Sequence, residues 1–141
     1  MVQKYFLDTC IWRDFYELRK SKSGRELGLE AELLILKIIK RKDLILFSES
    51  LYKELKNDYT LEEINCMFQI LFLAKVLVKI DISKDEFYEA KKIAIERNLP
   101  FIDCLNAVQA RNNQAIMVTQ DKHFFESLKD ITLAKKPSEI N

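Results

Sequence analysis

The hydrophobic pattern of the chain alternates between two kinds of segment. Short runs of mostly apolar residues have the length and composition of strands that are buried on both faces of a sheet. Between them, apolar residues recur every three or four positions among charged ones, which is the pattern of helices with one buried face. The runs predict strands at residues 4–7, 44–47, 76–80 and 115–119, and residues 131–133 are a candidate fifth strand.

The intervening segments predict helices, and two of these begin with a capping signal. Thr60 is followed three residues later by Glu63, and Ser83 by Glu86, which is the capping-box pattern. Strands that alternate with helices imply crossover connections, and hence a mainly parallel sheet with helices on both faces. We therefore predict one α/β domain over residues 1–141, with four to five short strands. The predicted helices cover residues 11–20, 29–40, 51–55, 60–74, 83–97, 101–112 and 123–128.

Composition narrows the class of protein without identifying it. With 48% hydrophobic and 32% charged residues, the chain has the mix of a globular protein, and 141 residues suffice for one domain. The apolar stretches are too short and too often interrupted by charges for a signal peptide or a membrane span, so we expect a cytoplasmic protein. Cys10, Cys66 and Cys104 form no CxxC pair, which gives no support to a zinc knuckle or a disulfide framework. We expect each to pack as a small buried side chain.

The charge balance does not by itself indicate whether the protein binds nucleic acid. The net charge is +1, from 23 basic and 22 acidic residues. A dedicated DNA-binding domain is usually more basic than this. If the partner is RNA, attraction has to come from local basic patches or from metal ions that offset the acidic groups.

Four carboxylates occupy positions that the predicted fold would bring together. Asp8 follows the first strand directly, and Asp121 follows the fourth, just after Thr119. Asp103 lies in the first turn of the helix that leads into the fourth strand, and Glu54 lies on the helix after the second. In an open parallel sheet, binding sites form beyond the carboxyl ends of the strands. We therefore expect all four side chains at one edge of the sheet.

Carboxylates that cluster in this way repel one another unless a cation neutralises them. Their oxygen atoms suit Mg²⁺ or Mn²⁺, and such ions support phosphodiester hydrolysis. The chain offers little else for catalysis, since it has one histidine and no glycine-rich phosphate loop. Each acid also has an ordinary explanation: Asp8 and Asp121 as helix caps, Asp103 as a partner of the helix dipole, and Glu54 as a solvated side chain.

The same residues resemble the motifs of PIN-domain proteins. Residues 5–10, Tyr-Phe-Leu-Asp-Thr-Cys, are similar to the first strand and Asp-Thr-Asn/Ser signature of that family, and residues 48–55 resemble its second motif, with Glu54 as the acid. Residues 99–107 resemble its Asp-x-x-x-Ala helix start, with Asp103. Residues 118–124 resemble its Thr-x-Asp-x-x-Phe motif, with Thr119 and Asp121. The order and spacing agree over nearly the whole chain.

This resemblance implies a three-layer PIN fold and a nuclease that requires Mg²⁺ or Mn²⁺ and cleaves RNA internally. Many family members of this length are toxins of VapBC toxin–antitoxin pairs, which a small antitoxin protein neutralises, and they commonly form homodimers. The resemblance assigns the metal and the chemistry to Asp8, Glu54, Asp103 and Asp121, with Thr9 and Thr119 in support.

Neighbouring positions are assigned less clearly. Cys10 stands where the family usually has Asn or Ser, and because a thiol is a poor ligand for a hard ion we expect it to pack. His123 occupies a variable slot of the last motif, so we assign it no catalytic role, although its pKa range would suit a base. Arg13, Lys53 and Lys122 lie close in sequence to the acids and either contact phosphates or are solvated.

Other functions share parts of this pattern. The Cys10 departure and the near-neutral charge are compatible with a non-catalytic PIN-like module that binds RNA or a protein. A free-standing RNA-processing nuclease would show the same motifs as a toxin. A phospho-acceptor domain or a haloacid-type phosphatase is disfavoured, since Asp8 has no acidic neighbour before it and Cys10 two positions after it. The helix at 60–74 carries more apolar residues than one buried face needs, which fits either a homodimer contact or a deep core.

Overall fold

The first strand shows how the apolar runs are used. In the computed structural model, which describes residues 1–141, Tyr5 and Leu7 pack on one face of the sheet and Phe6 packs on the other. All three side chains are buried, as expected of a strand that helices cover on both sides. The strands and helices, in chain order, are β1 (Lys4–Leu7), α1 (Thr9–Glu17), α2 (Leu27–Arg41), β2 (Leu44–Phe47), α3 (Glu49–Lys56), α4 (Leu61–Leu73), β3 (Leu77–Lys79), α5 (Lys84–Arg97), α6 (Phe101–Asn112), β4 (Ile116–Val118), α7 (Lys122–Glu126) and β5 (Ala134–Lys135). A 3₁₀ turn, Pro137–Glu139, follows β5.

The five strands form one parallel sheet in the order β3-β2-β1-β4-β5. The chain builds outward from β1 through β2 to β3 and then crosses back to place β4 on the other side of β1. This reversal is the switch point of a doubly wound sheet, where a crevice opens beyond the carboxyl ends of the two strands. Leu7 of β1 pairs with Val118 of β4, so the residues that follow these strands emerge side by side.

Two cores, one on each face of the sheet, hold the helices in place. Helices α1 to α4 pack their apolar sides on the face that carries Tyr5, Leu7 and Ile45. Helices α5 to α7 cover the opposite face, which carries Phe6 and Leu46. The molecule therefore has three layers, and the prediction of a mainly parallel sheet between helices is confirmed.

Helices α1 and α2 approach each other closely at Gly28. A Cβ atom at this position would lie 2.6 Å from the carbonyl oxygen of Asp14 and would also collide with the Cα of Leu18. Both are backbone atoms, which cannot move aside as the end of a flexible side chain can. Glycine is therefore required for this helix contact, beside which Asp14 is buried with 4% exposure.

The capping boxes at Thr60 and Ser83 are both confirmed, whereas the fifth strand is present but not at the predicted residues 131–133. The amides of residues 131 and 132 donate to the carbonyl oxygen of Leu128 and form a turn, and bonding to β4 begins with the carbonyl oxygen of Leu133, which accepts the N–H of Met117. Strand β5 is the next pair, Ala134–Lys135, alongside β4. Two residues leave too short a pattern to be recognised in a sequence.

Helix α1 starts and ends earlier than predicted. It begins at Thr9 rather than at residue 11 because Asp8, directly after β1, caps it. It ends at Glu17 rather than at residue 20 because Leu18 adopts a left-handed backbone conformation with φ of 52°. Strand and helix are thus joined by one residue, which fixes the direction of the Asp8 side chain.

The apolar excess of α4 lies on the surface and not in a deep core. Ile64 and Met67 are buried, but Phe72 and Leu73 are 73% and 70% exposed. Cys66, on the same helix, is exposed as well, so the expectation that all three cysteines are buried is wrong for this one; Cys10 is half-buried and Cys104 is buried. None of the helices combines the length and the apolarity that crossing a membrane requires.

Candidate active site

Asp8 lies at the carboxyl end of β1, at the switch point of the sheet, and its two carboxylate oxygens have different partners. Oδ1 accepts the backbone N–H of Thr9 at 2.8 Å and so caps α1. Oδ2 accepts the hydroxyl of Thr119, at the end of β4, at 2.8 Å. The side chain is 7% exposed. The residue is thus a helix cap, as one interpretation of the sequence had it, and also the link between the two central strands.

Thr119 connects Asp8 to the next carboxylate. Its hydroxyl donates to Asp8 and accepts the backbone N–H of Asp121 at 2.9 Å. Asp121 in turn caps α7, since its Oδ1 accepts the N–H of His123 at 2.9 Å. The supporting position predicted for Thr119 is therefore occupied by a buried hydroxyl that fixes two of the four acids.

Asp103 reaches the same place from the first turn of α6. Its Oδ2 lies 3.1 Å from Nδ1 of His123, which is also 3.6 Å from Oδ1 of Asp121. One ligand atom from each of these three residues lies within 4.8 Å of the other two. Sequence reasoning assigned His123 no role in the site, yet its imidazole lies between two of the predicted acids.

Glu54, on α3, joins the cluster through the second threonine. The hydroxyl of Thr9 donates to Oε1 of Glu54 at 2.6 Å. Thr9 is buried, and its backbone N–H is already held by Asp8. One threonine thus couples the end of β1 to α3, and all four predicted carboxylates lie at the same edge of the sheet.

The electrostatics of the cluster disfavour negative charge. Burial raises the pKa of Asp8 to about 6, and the charges of Asp103 and Glu54 act in the same direction, while the hydrogen bonds from Thr119 and Thr9 oppose the change. Burial also raises the pKa of Asp103, with Asp121 adding to the rise and His123 opposing it. Buried acids that repel one another are stabilised by a cation placed between them.

Cys10 touches the centre of the cluster. Its sulfur lies 3.7 Å from Oδ2 of Asp8 and 3.7 Å from the hydroxyl of Thr119. Burial raises the pKa of the thiol, and the Asp8 charge raises it further, so the group stays protonated and donates to Asp8. Cys10 therefore packs, as predicted, but it packs against the site.

The three basic side chains singled out in the sequence have different surroundings. Arg13 is ion-paired with Asp58, so its guanidinium already has a carboxylate partner. Lys53 is exposed and lines a cavity together with Glu54. Lys122 is exposed at the first residue of α7, directly after Asp121.

The positions of these acids and threonines in the fold agree with a family comparison that covers most of the sequence. A model of the PIN domain family matches residues 5–129. The chain belongs to the PIN domain family. No curated protein matches this PIN domain protein.

Solved structures with the same fold include toxin–antitoxin assemblies. A toxin–antitoxin complex from Klebsiella pneumoniae aligns with a TM-score of 0.60 and 18% identity over 96% of this chain and 99% of that one. VapBC2 from Rickettsia felis, bound to a DNA fragment from its promoter, aligns with a TM-score of 0.60 and 22% identity over 95% of this chain and 98% of that one. PAE2754 from Pyrobaculum aerophilum aligns with a TM-score of 0.52 and 18% identity over 98% of this chain and 93% of that one. At these identities the likeness concerns the fold.

PIN domains generally act as nucleases with divalent metal ions, and the donor set of this PIN domain fits such an ion. Asp8, Asp103, Asp121 and Glu54 offer carboxylate oxygens, which Mg²⁺ and Mn²⁺ prefer. His123 adds a nitrogen donor, which Mn²⁺ accepts more readily than Mg²⁺. The raised pKa values of Asp8 and Asp103 show that burial disfavours their negative charge, and a bound cation would offset this effect.

Proposed function

We propose that this protein is a metal-dependent endoribonuclease that hydrolyses RNA phosphodiester bonds at the cluster formed by Asp8, Glu54, Asp103 and Asp121. The observation that carries the proposal is the convergence of these acids at the switch point of the sheet. They come from the ends of β1 and β4 and from α3 and α6; two buried threonines hold Asp8, Glu54 and Asp121, and His123 contacts Asp103. An arrangement of acids this costly to stability is retained where function requires it.

Asp8, Asp103 and Asp121 are the proposed ligands of Mg²⁺ or Mn²⁺, with Glu54 as a fourth acid. When bound, such an ion neutralises phosphate charge and makes water a better nucleophile at neutral pH. The protein's own groups hold the acids in place: Thr119 orients Asp8 and Asp121, and the Thr9 hydroxyl holds Glu54.

The basic side chains are the proposed contacts to the RNA backbone. Lys53 and Lys122 are exposed beside the cluster, so they can approach phosphates on either side of the scissile bond. Arg13 is a weaker candidate, because phosphate binding would have to compete with its ion pair to Asp58.

Cleavage of an end-labelled single-stranded RNA in Mg²⁺, Mn²⁺ and EDTA tests the proposal. The parent protein should cut in metal alone, and Asp8→Asn and Asp103→Asn should each reduce the rate by about 100-fold or more, as loss of roughly 3 kcal/mol of transition-state stabilisation implies. The matched control is Asp130→Asn, since Asp130 is exposed and paired with Arg97 outside the cluster. If the site variants cut as fast as the parent, the assignment of the site is wrong.

We further propose that the protein is the toxin of a VapBC-type pair, located in the cytoplasm, with a small antitoxin as partner and a homodimer as its assembly. The likeness to the two toxin–antitoxin complexes supports the partner, and the exposed apolar side chains of α4, including Phe72 and Leu73, support a protein contact. Light scattering at several concentrations tests the dimer, with Phe72→Ser expected to yield monomer. A monomer in the parent protein at every concentration would contradict it.

A further inference from the structure

A cavity of about 390 Å³ lies between α3 and the α5–α6 layer, next to the carboxylate cluster. Its two sides differ in chemistry. One side is apolar and includes Ile82, Phe87 and Phe101, while the other comes from α3 and includes Lys53 and Asn57. Such a combination of apolar wall and polar rim suits a flat, partly polar ligand.

The apolar wall contains an aromatic pair of which Phe101 packs against the core and Phe87 does not. The rings of Phe87 and Phe101 lie 5.0 Å apart between centroids at 61°, in an edge contact. Phe87 is 43% exposed although it is a large apolar side chain, so one face of the pair remains open to solvent. Exposed aromatic rings at a cavity are the usual platform on which unpaired bases stack.

The cavity is continuous with the proposed catalytic cluster. Glu54 lines it and also accepts the hydroxyl of Thr9, which belongs to the cluster. Phe101 is two residues before Asp103 in the first turn of α6. A group in this cavity would therefore belong to a part of the substrate close to the reacting phosphate.

The α3 side of the cavity is charged, since Lys53 lines it together with Glu49 and Glu54. Glu49, another lining residue, has a lowered pKa, first because of its ion pair with Lys79 at 2.9 Å and also because of the charges of Lys53 and Lys56. An apolar side chain of a protein partner would use the aromatic wall and leave Lys53, which lines the cavity without an ion pair, without a role. A nucleotide uses both, with its base on the rings and its phosphate near the lysines.

We infer that this cavity binds the base of an unpaired nucleotide next to the scissile phosphate, with Phe87 and Phe101 as the stacking surface and Asn57 at the base edge. The inference rests on the proposed ribonuclease function and adds to it a subsite for one base of the RNA beside the scissile phosphate. Asn57 is exposed at the rim, and its amide both donates and accepts hydrogen bonds. It is thus a specificity-determining position.

Binding of short fluorescein-labelled oligouridylate and oligoadenylate, measured by fluorescence anisotropy in EDTA, tests this site without any cleavage. Phe87→Ala should weaken binding about 5- to 100-fold, the usual range for removal of one stacking ring. Phe87→Trp keeps a flat ring and should bind within about twofold of the parent or more tightly. The matched control is Ile95→Ala, since Ile95 is an exposed apolar residue of the same helix that does not line the cavity.

A second arm uses the same RNA with one base replaced by hydrogen at the nucleotide beside the cleavage position. The parent should bind this abasic RNA as weakly as Phe87→Ala binds the intact RNA, and the variant should not distinguish the two. In Mn²⁺, Phe87→Ala should raise KM and leave kcat nearly unchanged, because the ring binds substrate away from the reacting atoms.

Two results overturn the site: Phe87→Ala binds both oligonucleotides like the parent, or the parent binds neither. In that case the cavity does not bind a base, even if RNA cleavage is observed. Conversely, weakened binding by Phe87→Ala supports the site even if no RNA is cut in Mn²⁺, which would refute the nuclease proposal alone.

Discussion

The substitution Asp8→Asn separates the contribution of Asp8 to stability from its proposed role in metal binding. Asn is also a good helix cap, so Oδ1 can still accept the N–H of Thr9. The amide nitrogen can donate to the hydroxyl of Thr119, which has a second lone pair beside the one that accepts Asp121. The substitution therefore removes the charge with little change in shape, although the Thr119 hydroxyl and the Cys10 thiol lose the Oδ2 acceptor, which offsets part of the gain in stability.

The expected gain in stability follows from the pKa of Asp8. Burial and the neighbouring acids raise it from 3.8 to about 6. At about 1.4 kcal/mol for each tenfold change in proton affinity, the buried charge costs up to about 3 kcal/mol above pH 6. Relaxation of the structure around the charge reduces this cost, so we expect Asp8→Asn to raise the free energy of unfolding by roughly 1 to 3 kcal/mol at pH 8.

The pH dependence gives the sign of the effect. The folded state binds the Asp8 proton more tightly than the unfolded state, so this residue lowers the free energy of unfolding as pH rises from about 4 to about 6. The difference between Asp8→Asn and the parent should therefore be small at pH 4, grow through that window, and stay constant above it.

Urea denaturation in EDTA from pH 4 to pH 8 measures this difference. Asp130→Asn serves as the control of opposite sign, because the pKa of Asp130 is lowered by its pair with Arg97. Added Mn²⁺ should stabilise the parent and not Asp8→Asn, since an ion that binds only the folded protein raises its stability. If Asp8→Asn is less stable than the parent at pH 8 without metal, or if the difference is independent of pH, the electrostatic account of the site is wrong.

Three further substitutions test other parts of the structure. Gly28→Ala should lower the free energy of unfolding by about 1 to 3 kcal/mol or more in urea denaturation, because the new Cβ collides with backbone atoms. The control Gly24→Ala, in open space at φ of 91°, should cost only about 1 kcal/mol, and equal effects would contradict the close helix contact. Asp14→Asn should stabilise the protein at pH 8 but not at pH 4, since burial raises the pKa of Asp14 to about 6. A gain in stability that persists at pH 4 would point to another cause. Thr9→Val keeps the shape of the side chain but leaves Glu54 without its 2.6 Å hydrogen bond, so it should lower the free energy of unfolding by roughly 1 to 3 kcal/mol and lower the rate of RNA cleavage. Unchanged stability and cleavage would show that the bond is unimportant.

The sequence predicts those features that depend on short-range patterns. Strands β1 and β2 are continuous apolar runs, and the capping boxes at Thr60 and Ser83 are complete within four residues. The convergence of the acids could also be predicted, because the carboxyl ends of parallel strands lie at the same edge and Asp8 and Asp121 follow such ends. For these features, the local pattern and the topology point to the same structure.

What the sequence does not reveal depends on how helices pack against one another. The contact of His123 with Asp103 joins residues twenty positions apart, and it requires α6 and α7 to meet at one angle. The contact of Cys10 with Thr119 depends in the same way on the spacing between β1 and β4. The burial of Asp14 follows from the close approach at Gly28, and no pattern around an isolated aspartate indicates it.

Titration of Mn²⁺ into the protein, followed by the electron paramagnetic resonance signal of the free ion, tests the central claim most directly. We expect the parent and the Asp130→Asn control to bind Mn²⁺, with Mg²⁺ as a competitor, and Asp103→Asn to bind it at least about tenfold more weakly, as loss of one carboxylate ligand implies. If the parent takes up no Mn²⁺, or if Asp103→Asn takes it up equally well, the carboxylate cluster is not a metal centre and the protein is better described as a binding module with the same fold.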